Sequence, residues 1–247
     1  MNAPRVLIVG ATSAIAGAVA RRFAARRAEF VLVSRQRERL EAASADLRTR
    51  GAGRVETLVR DASDLASHGE LLSTAQAALG GLDVALIAHG NLPDQSRCDA
   101  SPEETLDAIR INGTSVVSLV ARLAPVFEAQ RSGTLAAISS VAGDRGRQSN
   151  YAYGSAKAMV SAFMQGLRHR LSGQGVHVLT VKPGLVDTPM TASFRKGLLW
   201  ASPERVGRDI VRAIDRRRNV VYTPWFWRFV MLVIRAIPEP LFKRLKL

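Results

Sequence analysis

Six short apolar runs punctuate the 247-residue chain: Arg5 to Val9, Phe30 to Val33, Val55 to Val59, Val84 to Ala88, Thr134 to Ser139 and Val176 to Val181. Each is shorter than an ordinary helix, and the stretches between them are long enough to hold one. Runs with apolar residues at successive positions belong to strands covered on both faces. The pattern therefore predicts an α/β fold, a Rossmann-type doubly wound parallel sheet. Ser101-Pro-Glu-Glu104 and Ser202-Pro-Glu204 each place an N-cap serine before a proline at the first helical position, with acids in the first turn. Pro183-Gly184 ends the sixth run. With no linker-like composition break, residues 1–223 read as one domain and residues 224–247 as an apolar, basic tail that is not a domain of its own.

Ligands of an open parallel sheet sit beyond the carboxyl ends of its strands, where Gly10, Asp61, Gly90, Ser140 and Pro183-Gly184 all fall. The loop Gly10-Ala-Thr-Ser-Ala-Ile-Ala16 opens on a residue without a side chain, so backbone and a helix N-terminus can approach a pyrophosphate. Tyr153 and Lys157 stand four residues apart and share a face of a helix. The Lys157 ammonium is expected to favour the ionised Tyr153 phenol, lowering its pKa from about 10 toward the range useful for acid catalysis. Ser140 adds a hydroxyl to hold a reacting oxygen. Tyr151 makes no such pair, because Ser155 stands four residues after it.

The end of the second run bears on which dinucleotide would fit. A carboxylate there accepts hydrogen bonds from the adenosine ribose and repels a 2′-phosphate. The chain has Val33-Ser-Arg-Gln-Arg-Glu-Arg39, so Ser34 and Arg35, with Arg39 one turn on, suit NADP+ or NADPH. A solvated basic helix start is the plainer alternative.

From about Pro4 to Thr191 these landmarks, in this order, resemble the short-chain dehydrogenase/reductase family. The resemblance implies that Tyr153 is the acid/base, that Lys157 lowers its pKa and binds the nicotinamide ribose, and that Ser140 polarises the substrate oxygen. It implies that Asn112, in Arg110-Ile-Asn-Gly113, holds a proton-relay water. Cofactor contacts then fall on Gly10, Thr12, Ser13, Ala14 and Ile15, on Asp61 and Ala62 beside the adenine, on Ala88 and Gly90, and on Pro183, Gly184, Val186 and Thr188 around the carboxamide. Two departures stand out. Ala14 and Ala16 occupy two family glycine positions, and Ile87-Ala-His-Gly90 replaces Asn-Asn-Ala-Gly. His89 then lines the adenosine pocket or fills space. Tetramers built on the helices of Asn112 and Tyr153 are the family's habit, so a homo-oligomer is expected.

Composition narrows the partners. Lys and Arg number 35 against 21 Asp and Glu, a net charge of +14, which favours polyanions. The arginines are scattered and aromatics are not interleaved with them, so an anionic cofactor or lipid surface fits better than nucleic acid. The single cysteine, Cys98, excludes an intrachain disulfide framework, no Cys/His cluster has metal-ligand spacing, and no apolar stretch spans a bilayer. A cytoplasmic protein, free or on the inner membrane face, is expected.

The tail, Thr223-Pro-Trp-Phe-Trp-Arg-Phe-Val-Met-Leu-Val-Ile-Arg235, is expected to start a helix at Pro224, followed by an amphipathic piece from Leu241 to Leu247. Aromatics beside a basic amphipathic end suit an interfacial anchor on anionic lipid, and packing over the pocket or in an oligomer interface is the alternative. Trp227 to Pro238 with Leu241 to Leu245 also resembles the end of the family's decaprenylphosphoryl-2-keto-erythro-pentose reductases, which implies a keto sugar on a polyprenyl phosphate. The expected function is NADPH-dependent reduction of a ketone to a secondary alcohol. Soluble reduction of 3-oxoacyl or other small carbonyl compounds, and a non-catalytic dinucleotide-binding scaffold or sensor, are the alternatives.

Overall fold

In the computed structural model, which describes residues 3–245, each apolar run is a strand. β1 (Arg5–Val9), β2 (Glu29–Ser34), β3 (Val55–Val59), β4 (Val84–Ile87), β5 (Thr134–Ile138) and β6 (His177–Pro183) match the expected runs to within one or two residues at each end. β7 (Val220–Thr223) has no comparable signature, because it is a short edge strand exposed at its start. All pair in parallel in the order β3-β2-β1-β4-β5-β6-β7. The chain reverses direction of growth between β1 and β4, which opens the crevice used for ligands in such sheets.

Neighbouring residues of one strand serve two cores. Val6 and Ile8 of β1, with Phe30 and Leu32 of β2, pack under α1 (Ala14–Ala24), α2 (Arg37–Thr49) and α8 (Pro203–Asp215). Leu7, Val9, Val31 and Val33 face α3 (His68–Leu79), α6 (Ser115–Gln130) and α7 (Tyr151–Arg170). That explains the uninterrupted apolar runs, each buried aliphatic contributing roughly 1.5–3 kcal/mol. Two short helices, α4 (Gln95–Ala100) and α5 (Pro102–Ile109), lead into a π-helical turn, Arg110–Thr114, before α6. The capping serines act as expected: Ser101 Oγ accepts from Glu104 N and Ser202 Oγ from Arg205 N, both at 3.2 Å.

The tail forms α9 (Trp227–Ala236) and α10 (Glu239–Phe242), and its start differs from the expected one. Pro224 is buried in a turn whose carbonyl accepts from Trp227 N at 3.1 Å, so regular helix begins three residues after the proline. One side of α9, with Trp227 and Met231, is buried against Val141, while Phe229, Leu232 and Val233 face outward with Trp225. The tail therefore packs on the protein with one side and leaves an apolar side exposed. Lys246 and Leu247, part of the expected amphipathic end, lie outside the described residues. Among those described, no helix is long and apolar enough to cross a membrane.

Candidate active site

At the carboxyl edge of the sheet lies a cleft of about 470 Å³, lined by every residue that the sequence singled out for catalysis or cofactor contact. Its floor begins at Gly10, where φ is +86° and an added Cβ would lie 2.4 Å from His89 N. Only glycine permits this approach of two strand ends without backbone strain. Gly10 N and Ala11 N donate to the Val33 carbonyl at 2.9 and 3.0 Å, which turns Thr12 and Ser13 over the strand edge toward the start of α1. Ala16 is fully buried, so at that family glycine position the methyl group goes into the core beneath the helix and not into the cleft. The cradle fits a pyrophosphate.

Beside it, Ser34 Oγ and Thr12 Oγ1 are 3.0 Å apart, and Arg39 donates to the Thr12 carbonyl at 3.3 Å. The Arg35 guanidinium lies 3.8 Å from Asp61, both side chains substantially exposed. Asp61 also accepts from the amide and hydroxyl of Ser63 at 2.8 and 2.9 Å. Its pKa is below the usual value because those bonds and the Arg35 and Arg110 charges outweigh burial, the largest single influence, which acts the other way. His68 pins the next residue, donating from Nε2 to the Ala62 carbonyl at 3.0 Å, since a carbonyl only accepts. His89 lines the cleft with Nε2 2.7 Å from Ser115 Oγ; burial, then the Lys157 charge, lowers its pKa to about 3, so it is neutral.

The reacting end is assembled from β5, the π-helical turn and α7. Ser140 caps a short turn, Val141–Gly143, accepting from Ala142 N at 3.1 Å, and its hydroxyl lines the same cleft as Tyr153. Asn112 is fully buried: Oδ1 accepts from Asn91 N at 3.0 Å, and Nδ2 donates to Asn91 Oδ1 at 2.8 Å and Ala108 O at 3.0 Å. Its side chain thus holds the Gly90-Asn91 strand end. Lys157 Nζ donates to the Ile138 carbonyl at 3.0 Å and sits 5.6 Å from the centre of the Tyr153 ring.

The expected lowering of the Tyr153 pKa by Lys157 is overturned. Burial pushes the phenol up to about 12, opposed by the Ser140 hydroxyl. Burial likewise pulls the Lys157 ammonium down to about 8. Losing water costs each charged form more than their mutual attraction returns at this separation. The phenol is consequently a firmly protonated donor.

The far wall joins part of the tail, whose packing over the pocket was the alternative left open by the sequence, to loop residues with no sequence signature. Trp227 reaches back from α9 to the Gly184 backbone, where a Cβ would lie 1.9 Å from Nε1. Arg145 secures that helix by donating to the carbonyls of Ile234 and Ile237 at 2.7 and 2.6 Å and to Glu239 at 3.0 Å. Arg147 and Asn150, between the Ser140 turn and α7, complete the wall. Nothing in periodicity or spacing marks these positions; they meet only through the tertiary fold.

Comparison with known proteins agrees with this geometry. Residues 4–198 match the family model for short chain dehydrogenases. An uncharacterized oxidoreductase of Mycobacterium tuberculosis is 37% identical over 244 residues, 99% of this chain and 98% of its own. Another from Streptomyces coelicolor is 39% identical over 244 residues, 97% and 95% of the two chains. The crystal structure of levodione reductase superposes with a TM-score of 0.82 at 22% identity, over 92% of this chain and 98% of that one, and so shares the fold. The nicotinamide dinucleotide that such enzymes use has a fitting cradle at Gly10, and the chain belongs to the short-chain dehydrogenase family of oxidoreductases.

Proposed function

We propose that the protein is an NADPH-dependent reductase that converts a ketone to a secondary alcohol. The observation that carries this reading is the meeting of Ser140, Tyr153 and Lys157 in one cleft with the Gly10 cradle. The dinucleotide, when bound, supplies the hydride. Ser140 and Tyr153 direct hydroxyls at the carbonyl oxygen and stabilise negative charge as it develops there. The proton waits on Tyr153 Oη, and an alkoxide is a far stronger base than a phenolate, so a phenol with a raised pKa still delivers it. Lys157 supports reprotonation, and Asn112 keeps the Gly90-Asn91 strand end in place. Ser34 and Arg35, with no carboxylate at either position, favour the 2′-phosphate of NADPH.

We further assign the outward side of the tail to peripheral contact with anionic lipid. Trp225, Phe229, Leu232 and Val233 are 57–66% exposed on one stretch, with Arg228, Arg235, Lys243 and Arg244 close by in sequence. Isolated apolar residues on a surface carry no meaning, but a contiguous set flanked by bases fits a membrane interface. A ketone carried by a lipid, such as a keto sugar on a polyprenyl phosphate, is the substrate class this implies. Homo-oligomerisation through α6 and α7 is proposed from the family's habit.

The test is NADPH oxidation across a panel of keto sugars, 3-oxoacyl thioesters and simple ketones, with and without anionic vesicles. Reduction of at least one ketone, with co-sedimentation lost in Phe229→Asp/Leu232→Asp, is expected. A panel wholly unreduced would leave dinucleotide binding without turnover, and reduction by a vesicle-blind protein would move the substrate into solution.

A further inference from the structure

Three charged residues within four positions follow the Ser140 turn, and the protein uses only two of them. Asp144 is ion-paired with Lys182 and accepts from Tyr222 Oη at 2.8 Å. Arg145 is spent on the tail, capping the end of α9 and lying over the Phe242 ring at 3.7 Å. Arg147 has neither an ion pair nor a side-chain hydrogen bond among the described residues, and its Nε is buried without a partner. Burial alone lowers its pKa, yet a guanidinium stays charged at any physiological pH. A guanidinium held partly out of water, with its Nε buried and no counter-charge among the described residues, is costly to keep there.

Its neighbours on the cleft wall share the condition. Asn150 Oδ1 and the Trp227 indole Nε1 are also buried and unpartnered. Among the described residues, the only acidic one lining the cleft is Asp61, which is already engaged with Arg35 and Ser63 beyond the ends of β2 and β3. Two buried N–H donors, one of them cationic, and an amide that presents its NH2 once flipped about its terminal torsion thus border the pocket without a partner among the described residues.

We propose that Arg147 is the specificity-determining residue of this site: the ketone substrate carries an anionic group, a carboxylate or a phosphate ester, which Arg147 receives with Asn150 and the Trp227 indole N–H as flanking polar partners. The inference deepens the ketone-reductase reading and rests on it. An anion there supplies the missing partner, and the bidentate face of a guanidinium suits both anions. The cradle for the dinucleotide's own phosphates lies at Gly10, on a different strand end.

The test pairs each anion with its neutral counterpart in the NADPH-saturated full chain: 4-oxopentanoate against its methyl ester, and dihydroxyacetone phosphate against dihydroxyacetone. One anionic member is expected to exceed its neutral partner at least about tenfold in kcat/KM, the difference lying in KM, and which pair responds separates carboxylate from phosphate. Arg147→Gln is expected to collapse that ratio and Arg147→Lys to restore part of it. Calorimetric titration of the same two anions onto NADPH-loaded Tyr153→Phe protein, with and without Arg147→Gln, reads the inference without turnover. It therefore decides even if no ketone is reduced, an outcome that would count against the reductase reading alone. Arg147→Met is expected to melt no lower than the unaltered protein, because a partly buried cation without a counter-charge is removed. Equal binding of both anions with and without Arg147, a ratio that survives Arg147→Gln, weaker NADPH binding in place of weaker anion binding, or a clear fall in melting temperature would each overturn the assignment.

Discussion

The two ends of the cleft are built in opposite ways. Around Gly10 and Asp61, most polar groups have partners inside the protein, Thr12 with Ser34, Arg39 with the Thr12 carbonyl and Asp61 with Ser63 and Arg35, and one buried atom, His89 Nδ1, has none among the described residues. Around Trp227 and Arg147, three buried polar atoms have none among the described residues. The first end is set by strand-edge loops a few residues long, held by backbone hydrogen bonds that form as the sheet forms. The second is assembled from a loop after β5, the start of α7 and a helix from the tail. A satisfied end is suited to a ligand of fixed shape, and an unsatisfied one reports chemistry that only the ligand supplies.

The largest break in this comparison lies at the boundary between the ends. Tyr153→Phe removes the proposed proton donor while leaving the Gly10 cradle intact. Turnover is expected to fall by roughly 10²–10⁴-fold with NADPH affinity retained. Single-turnover measurement of NADPH oxidation alongside fluorescence titration checks both halves, and substantial residual activity would shift the proton to another group.

Two glycines offer a matched pair. Gly10→Ala drives a Cβ into the His89 backbone from a left-handed conformation, and Gly184→Ala drives one into the Trp227 ring. Backbone cannot step aside, so Gly10→Ala is expected to cost about 3 kcal/mol or more and to abolish dinucleotide binding. A side chain can be removed, so the damage from Gly184→Ala is expected to be largely relieved in Gly184→Ala/Trp227→Ala. Thermal melts of the four proteins test this, and a double variant no better than the single one would mean that the indole is not the obstacle.

How much of each end was legible in the sequence follows from the same contrast. Gly10, Asp61, Gly90, Ser140 and Pro183 end strands that the apolar runs locate, and Tyr153 and Lys157 are tied by helical spacing, so short-range geometry places them. The four-residue pairing was readable, but its electrostatic consequence was not, because desolvation depends on what the fold piles over both groups. Trp227 lies 43 positions after Gly184, Arg145 reaches 89 to 94 positions to the tail, and β7 is an edge strand without a continuous apolar run. No local pattern encodes such meetings. The tail was read correctly as apolar and basic, but which of its residues turn inward depends on α9 starting at Trp227 and not at Pro224.

The desolvation of Lys157 has a pH signature. Its pKa is about 8 in the folded protein against 10.5 for an ordinary lysine. Between those values the unfolded chain binds a proton that the folded chain has released, so stability rises with pH. Tyr153 opposes this above pH 10, its ordinary value, because the unfolded phenol ionises there while the folded one holds its proton to about 12. The window is therefore pH 8 to 10, with an expected gain of about 2–3 kcal/mol. Denaturant titrations across it should show the rise in the unaltered protein and lose it in Lys157→Met. A flat profile in the unaltered protein would mean that the ammonium keeps enough water or a partner to stay charged.

The smallest effect expected is at the other end, where Arg35→Asp asks whether the satisfied half of the cleft discriminates between dinucleotides. Arg35 is 68% exposed and its contact with Asp61 is long, at 3.8 Å, so the pair adds little to folding and the variant should melt close to the unaltered protein. Its charge matters only to what binds there. A carboxylate in its place repels a 2′-phosphate and can accept from a free ribose hydroxyl, while Ser34, hydrogen-bonded with Thr12, stays in position. The preference for NADPH over NADH is expected to fall by roughly 10–100-fold, about 1.4–2.8 kcal/mol, as suits one charge-assisted contact at an exposed site. Because the guanidinium is solvated, raising the salt concentration should shrink the preference of the unaltered protein as well, which the variant should not show. Equal affinities for the two cofactors in the unaltered protein, by fluorescence titration at low salt, would reduce Arg35 to part of a solvated helix start and leave Ser34 and Thr12 without a phosphate to bind.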